Sequence, residues 1–163
     1  MRDCDAEIAR PVPERASDKQ PADFLPTLQA LVKCYQAFEA YSATDIRALG
    51  LTPPQFDVIA TLGNTPGMRS TELGETTLIT KGTLTGVVDR LGDHGWVERV
   101  AHGSDRRCQI VRLTPAGEAL FAKVFPAHMA HLSACFAGVG AAEHTRWQTA
   151  LRGLEQVFRK GAA

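Results

Sequence analysis

Apolar residues recur at helical spacing through most of the chain, interrupted once by a stretch with the two-residue period of strands. Phe24, Leu25, Leu28, Leu31, Val32, Tyr35 and Phe38 step by three and four, the spacing that lines one face of an α-helix. Asp23 stands where an N-cap belongs, and Pro26 falls in the first turn, where no intrahelical bond is lost. The helix is expected to reach about Ala48, with Gly50 as its stop. LTPPQFDVIATLG then carries the start signals of a second helix: Thr52 and Gln55 form a capping box and Pro53 takes the first helical position. Phe56, Ile59 and Leu62 make its buried stripe, and GNTPG turns the chain. Ser70 caps a short third helix through Leu73 to Thr77. Thr80 caps a fourth, where Leu84, Val87, Val88 and Leu91 fall at i, i+3, i+4 and i+7 before Gly95.

WVERV (96–100) and CQIVRL (108–113) are short and rich in β-branched residues, which predicts a β-hairpin. The seven residues between them place Asp105, Arg106 and Arg107 in a charged turn. Thr114-Pro115 opens another helix, with Leu120, Phe121, Val124 and Phe125 along one side. Pro126 should kink or interrupt it, and helical spacing resumes through Met129, Leu132 and Phe136. A last helix carries Trp147, Leu151, Leu154 and Phe158.

The expected fold class is therefore mainly α with a small β-hairpin wing. Residues 1–22, polar and with three prolines, read as a flexible arm. Residues 23–50 form an N-terminal dimerisation helix, 51–114 a winged helix-turn-helix domain, and 115–163 C-terminal dimerisation helices. The terminal helices have apolar stripes that the small domain cannot cover. A second copy of the chain would cover them, since closed two-fold dimers are the commonest oligomers; a monomeric helical bundle is the alternative.

Composition narrows the function more than it defines it. With 163 residues, 44% hydrophobic and 22% charged, the chain is ordinary for one globular domain. Its formal net charge is zero, and residues 69–112 hold seven Lys/Arg against six Asp/Glu. A nucleic-acid reading must therefore rest on where charges are placed. No apolar run approaches the roughly 18 residues that span a bilayer, and the acidic N-terminus has no apolar leader core, so a cytoplasmic location is expected. Cys4, Cys34, Cys108 and Cys135 are scattered, as free thiols in a reducing compartment would be. There is no phosphate-cradling glycine loop, no G-x-S-x-G and no H-E-x-x-H, so neither an enzyme nor a cofactor is expected.

On the fourth helix the apolar side is used for packing, which leaves Lys81, Gly82, Thr83, Thr85, Gly86, Asp89 and Arg90 on the other. Small and hydroxyl residues at the front of a helix let its backbone approach a duplex, where hydroxyls and N–H groups reach base edges and phosphates. An ordinary solvated face is the bland alternative.

At this point a resemblance becomes visible. LTPPQFDVIATL, then STELGETTLITKGTLTGVVDRLGDHGWVER, then SDRRCQIVRLTPAGEAL resembles the MarR family of winged helix-turn-helix transcriptional regulators, from about Phe24 to Phe158. The most specific piece is D-R-R followed by V-R-L-T-P-A-G at its spacing after D-R-L…G-W-V-E-R. The resemblance implies a two-fold dimer of triangular outline that binds a pseudo-palindrome through the major groove. Its wings would enter the flanking minor grooves, and the bound protein usually represses nearby genes, here of a catabolic, efflux or stress operon. By position, Lys81, Gly82, Thr83, Thr85 and Arg90 belong to the groove-facing helix, with Ser70 and Thr71 on phosphates. Arg107 matches the wing arginine of the minor groove, Asp105 the acid that braces it, and Arg106 suits phosphate. Gly86 stands where several relatives carry a longer side chain.

Members of the family usually release DNA when a small aromatic acid or phenol binds between the DNA-reading lobe and the dimer helices. Tyr35, Phe38, Tyr41 and Arg47 are the pocket candidates, an arginine beside aromatics suiting an anionic aromatic ligand; core packing is the alternative for each. Two other sensing modes known in the family have candidates here. Cys34 would serve an oxidant sensor. His128 and His131, at i and i+3, would serve a zinc sensor if Cys34 or Glu39 completed the ligand set. A winged helix used as an interaction module without sequence-specific DNA binding is the remaining class.

Overall fold

The computed structural model describes residues 24–77, 79–102 and 105–161, and of residues 81, 102 and 105–108 the backbone alone. The expected arm, the Asp23 cap, Cys4 and the Gly103-Ser104 turn lie outside the described residues. Among the described residues the elements follow in the order α1 Phe24–Ala48, α2 Pro53–Leu62, β1 Met68–Arg69, α3 Ser70–Thr76, α4 Lys81–Asp93, β2 Val97–His102, β3 Asp105–Leu113, α5 Pro115–Cys135 and α6 Ala141–Gly161. The chain divides after Ala37 into two units. Of the first, the described part is the front of α1, on which Phe24, Leu25, Val32 and Tyr35 are exposed.

In the second unit, local chemistry sets the element ends. Gly50 takes φ +85°, and its N–H donates to the Arg47 carbonyl while that of Leu51 donates to Ile46. This double bond pattern closes a helix around a left-handed residue, with Ile46 and Leu51 both buried beside it. The end of α4 repeats the device: Gly95 at φ +70° bonds Gly92, and Trp96 bonds Leu91. At the start of α2, Gln55 Oε1 accepts from the Thr52 N–H at 2.9 Å and from its hydroxyl at 3.0 Å. At the start of α5, the Thr114 hydroxyl accepts from the Gly117 N–H at 3.1 Å and donates to the Gly95 carbonyl at 2.6 Å.

The core is that of a small helical domain closed by a sheet. Val58, Ile59 and Leu62 of α2, Leu73 of α3, Leu84, Val87, Val88 and Leu91 of α4, Val97 and Val111 of the sheet, and Phe121 and Val124 of α5 are buried together. Each such side chain contributes about 1.5–3 kcal/mol of transfer free energy. The expected stripes of α2, α4 and the first half of α5 are thus the ones that fill it. α6 buries no residue.

Four expectations change. The sheet has three strands, in the order β1-β3-β2, because Met68 and Arg69 pair antiparallel with Val111 and Ile110. Two residues are too few to show a period. That strand runs directly into α3, so Arg69 holds the extended N-cap backbone and Ser70 is already helical. Thr80 occupies the N-cap of α4, but its hydroxyl meets that of Thr83 at 3.0 Å instead of capping a backbone N–H. Pro126 does not interrupt α5, which runs unbroken with Phe121, Val124 and His128 buried on either side of the proline. Packing on both flanks holds the helix where one backbone bond is missing.

Candidate nucleic-acid interface

α4 is buried on one side and open on the other. Leu84, Val87, Val88 and Leu91 anchor it in the core, while Gly82, Thr83, Thr85, Asp89 and Arg90 are exposed. A Cβ added at Gly82 would meet nothing within 4 Å, and one at Gly86 only the tip of Arg90 at 4.0 Å. Ser70 and Thr71 at the start of α3 are also exposed. Lys81 is the first residue of α4.

The hairpin stands beside this helix. Val97 pairs with Leu113, Glu98 with Arg112, Arg99 with Val111, Val100 with Ile110 and Ala101 with Gln109. The next pair is His102 with Asp105. Over that step β2 advances one residue and β3 four (109 − 105), so residues 106–108 stand outside the ladder. Asp105, Arg106 and Arg107 therefore belong to a bulged strand rather than to the turn expected from the sequence. A bulge of this kind ends regular pairing and bends the strand. Two ion pairs brace the hairpin: Glu98 to Arg112 across the strands at 2.7 Å, and Arg99 Nη1 to Asp89 Oδ1 of α4 at 2.7 Å. The sequence reading had Asp89 on the open face of α4 and missed its partner; an acid and a base ten residues apart on different elements leave no periodic signal.

Tyr35 belongs to the first unit, and Arg47 is exposed on α1 at a position off the Tyr41 and Asp45 face. Phe38 is exposed, 51% by area. Tyr41 stacks on His131 with ring centroids 4.2 Å apart and donates to the His131 carbonyl at 3.1 Å. Its phenol is held above its ordinary pKa first by a hydrogen bond with Cys135, then by burial and the negative charges of Cys135 and Asp45. Asp45 is thus a charged neighbour of this tyrosine.

The two histidines of α5 have structural partners. His128 is buried, with Nδ1 2.7 Å from Asp45 Oδ2, Nε2 3.1 Å from Ser42 Oγ, and its ring edge-on to Phe56. With both nitrogens engaged it is not open to a metal, and among the described residues no three His, Cys, Asp or Glu side chains come together to hold one. Cys34 and Cys135 are free and exposed. No helix among the described residues is long and apolar enough to cross a membrane.

A short helix, a second helix presented on the surface and a hairpin beside it form a winged helix-turn-helix, the architecture of a DNA-binding transcriptional regulator. The sequence model of the MarR family matches residues 49–107. The chain is similar to the transcriptional repressor YetL of Bacillus subtilis, 33% identical over 52% of each protein, so it spans about half of that relative. Among solved structures it is similar to AbsC, a MarR family regulator of Streptomyces coelicolor, with a TM-score of 0.73, 23% identity and coverage of 83% of this chain and 93% of that one. It is also similar to BpsR of Bordetella bronchiseptica, whose DNA binding is regulated by 6-hydroxynicotinic acid, with a TM-score of 0.70, 27% identity and coverage of 80% and 98%. The chain belongs to the MarR family of transcriptional regulators.

Proposed function

We propose that the protein is a homodimeric repressor that binds a pseudo-palindromic duplex and leaves it when a small aromatic phenol or carboxylate binds. The observation that carries this reading is α4, anchored through one side and open on the other, where two glycines leave its backbone bare. In this reading Gly82, Thr83, Thr85 and Lys81 face the major groove, with Arg90 beside them. Ser70 and Thr71 contact phosphate, and Arg106 and Arg107 meet the duplex from the β3 bulge, with Asp105 bracing Arg107. Repression draws support from the likeness to YetL, and an aromatic effector from the likeness to BpsR. Dimerisation draws support from α6, which exposes Trp147, Leu151, Val157 and Phe158.

The reading is tested by enriching duplexes from a random-sequence library on the purified protein. A palindromic consensus with steep salt dependence is expected. Equal binding of all sequences would leave the interaction-module reading. A thermal-shift screen of phenols and aromatic carboxylates then seeks the effector, and a hit must also weaken binding to the enriched duplex, because release requires differential affinity for the two states.

A further inference from the structure

Arg90 folds back along α4 over a line of bare backbone. Gly82, Gly86 and Arg90 are spaced by four, so they follow one another along one side of the helix. Side chains on a helix lean towards its N-terminus, and the head of Arg90 does so: a Cβ at Gly86 would meet Arg90 Nη1 at 4.0 Å. One turn further on, a Cβ at Gly82 would meet nothing within 4 Å. The guanidinium therefore rests over the turn before its own, beside the space that a side chain at Gly86 would take, with open space ahead of it.

The neighbouring groups leave that head available. The adjacent acid, Asp89, is held by Arg99 of the wing at 2.7 Å, and among the described residues no carboxylate pairs with Arg90. Gly82 and Gly86 lie opposite the stripe of Leu84, Val87, Val88 and Leu91 that α4 buries, so the helix backbone comes nearest to a duplex along the glycines. Phosphates border a groove, whereas base edges form its floor, and a cation held over the line of closest approach faces the floor. Arginine offers a planar fork of parallel N–H donors. In the major groove guanine alone presents two acceptors side by side, O6 and N7; adenine and thymine each present one, and cytosine a donor.

We infer that Arg90 is the base-reading side chain of α4 and that it recognises guanine, its fork donating to O6 and N7 from the space over Gly86. This rests on the reading of α4 as the groove-facing helix and adds to it which base pair the helix demands. The two glycines then act together, Gly82 by letting the backbone approach and Gly86 by giving the arginine head room to lie flat.

The test uses the full chain, wild type and Arg90→Ala, and the duplex enriched on the wild type. Arg90 is exposed and alanine favours helix, so the variant is expected to keep the fold, which circular dichroism checks. Each G·C pair of the consensus is exchanged in turn for A·T, in both half-sites together. For one such pair the wild type is expected to lose about tenfold or more, and Arg90→Ala, weaker on the parent duplex, to lose less than about twofold. A library enriched on Arg90→Ala should show no preference at that pair. Arg90→Ala that discriminates at every G·C pair as the wild type does overturns the inference, as does a consensus without a G·C pair. So does a uniform loss on all sequences with a salt slope lower by about one unit, the mark of a phosphate contact. In each of those three results the duplex is still selected and the groove-facing reading stands. If no sequence is enriched on the wild type, that reading fails and takes the guanine contact with it.

Discussion

Arg99 on β2 reaches Asp89 on α4 with 2.7 Å between Nη1 and Oδ1, tying the wing to the helix presented beside it. The two side chains are 35% and 53% exposed, so the pair contributes less than about 1 kcal/mol to stability. Its consequence lies in geometry. Arg99→Ala is expected to lower the melting temperature by no more than about 2–4 °C and to weaken DNA binding measurably in an anisotropy titration. A variant that binds as tightly as the wild type shows that the wing holds its position without the pair.

Two glycines are expected to respond to alanine with opposite signs. A Cβ at Gly117 would overlap the Trp96 carbonyl oxygen, a backbone atom of the turn between α4 and β2. Gly117→Ala should destabilise by about 1–3 kcal/mol, the range of overpacked sites. At Gly82 the space is open, and the helix gains up to about 1 kcal/mol from alanine. Urea unfolding measures both. If α4 approaches a duplex closely, Gly82→Ala binds DNA less well while being more stable. Unchanged affinity would remove Gly82 from the contact face.

Elements governed by local rules were legible in the sequence. The capping pair Thr52 and Gln55, the helix stops at Gly50 and Gly95, and the core stripe from Leu84 to Leu91 each depend on residues within one or two turns. Thr114 is of the same kind, since its hydroxyl finds Gly117 three residues on. What escaped depends on partners far along the chain. Met68 and Arg69 become a strand because Val111 and Ile110 lie beside them, and Asp45 finds His128 across 83 positions. The contacts of Tyr41 escaped for the same reason, since its histidine partner, His131, lies on a helix far along the chain.

α6 is amphipathic yet buries nothing, leaving Trp147 41%, Leu151 56%, Val157 64% and Phe158 48% exposed. Apolar surface of that extent on one helix marks an interface. Leu151→Asp together with Phe158→Asp is expected to convert a dimer to a monomer in size-exclusion chromatography with light scattering. The circular dichroism of the fold should stay nearly constant, because no core residue is touched. A dimer that survives both charges must be held elsewhere.

Arg107 gives the most direct measure of the wing. Its backbone lies in the stretch of β3 that leaves the ladder between Asp105 and Gln109, so its replacement removes no paired strand position. Arg107→Ala should leave the melting temperature close to that of the wild type. If the side chain enters a groove, affinity falls by about 1–3 kcal/mol, and the loss is larger for the preferred duplex than for a scrambled one. If it meets only phosphate, all sequences weaken alike and the slope of affinity against salt drops by about one unit. Titrations of both duplexes at two or more salt concentrations separate these outcomes, and unchanged binding throughout would take the wing arginine out of the DNA contact.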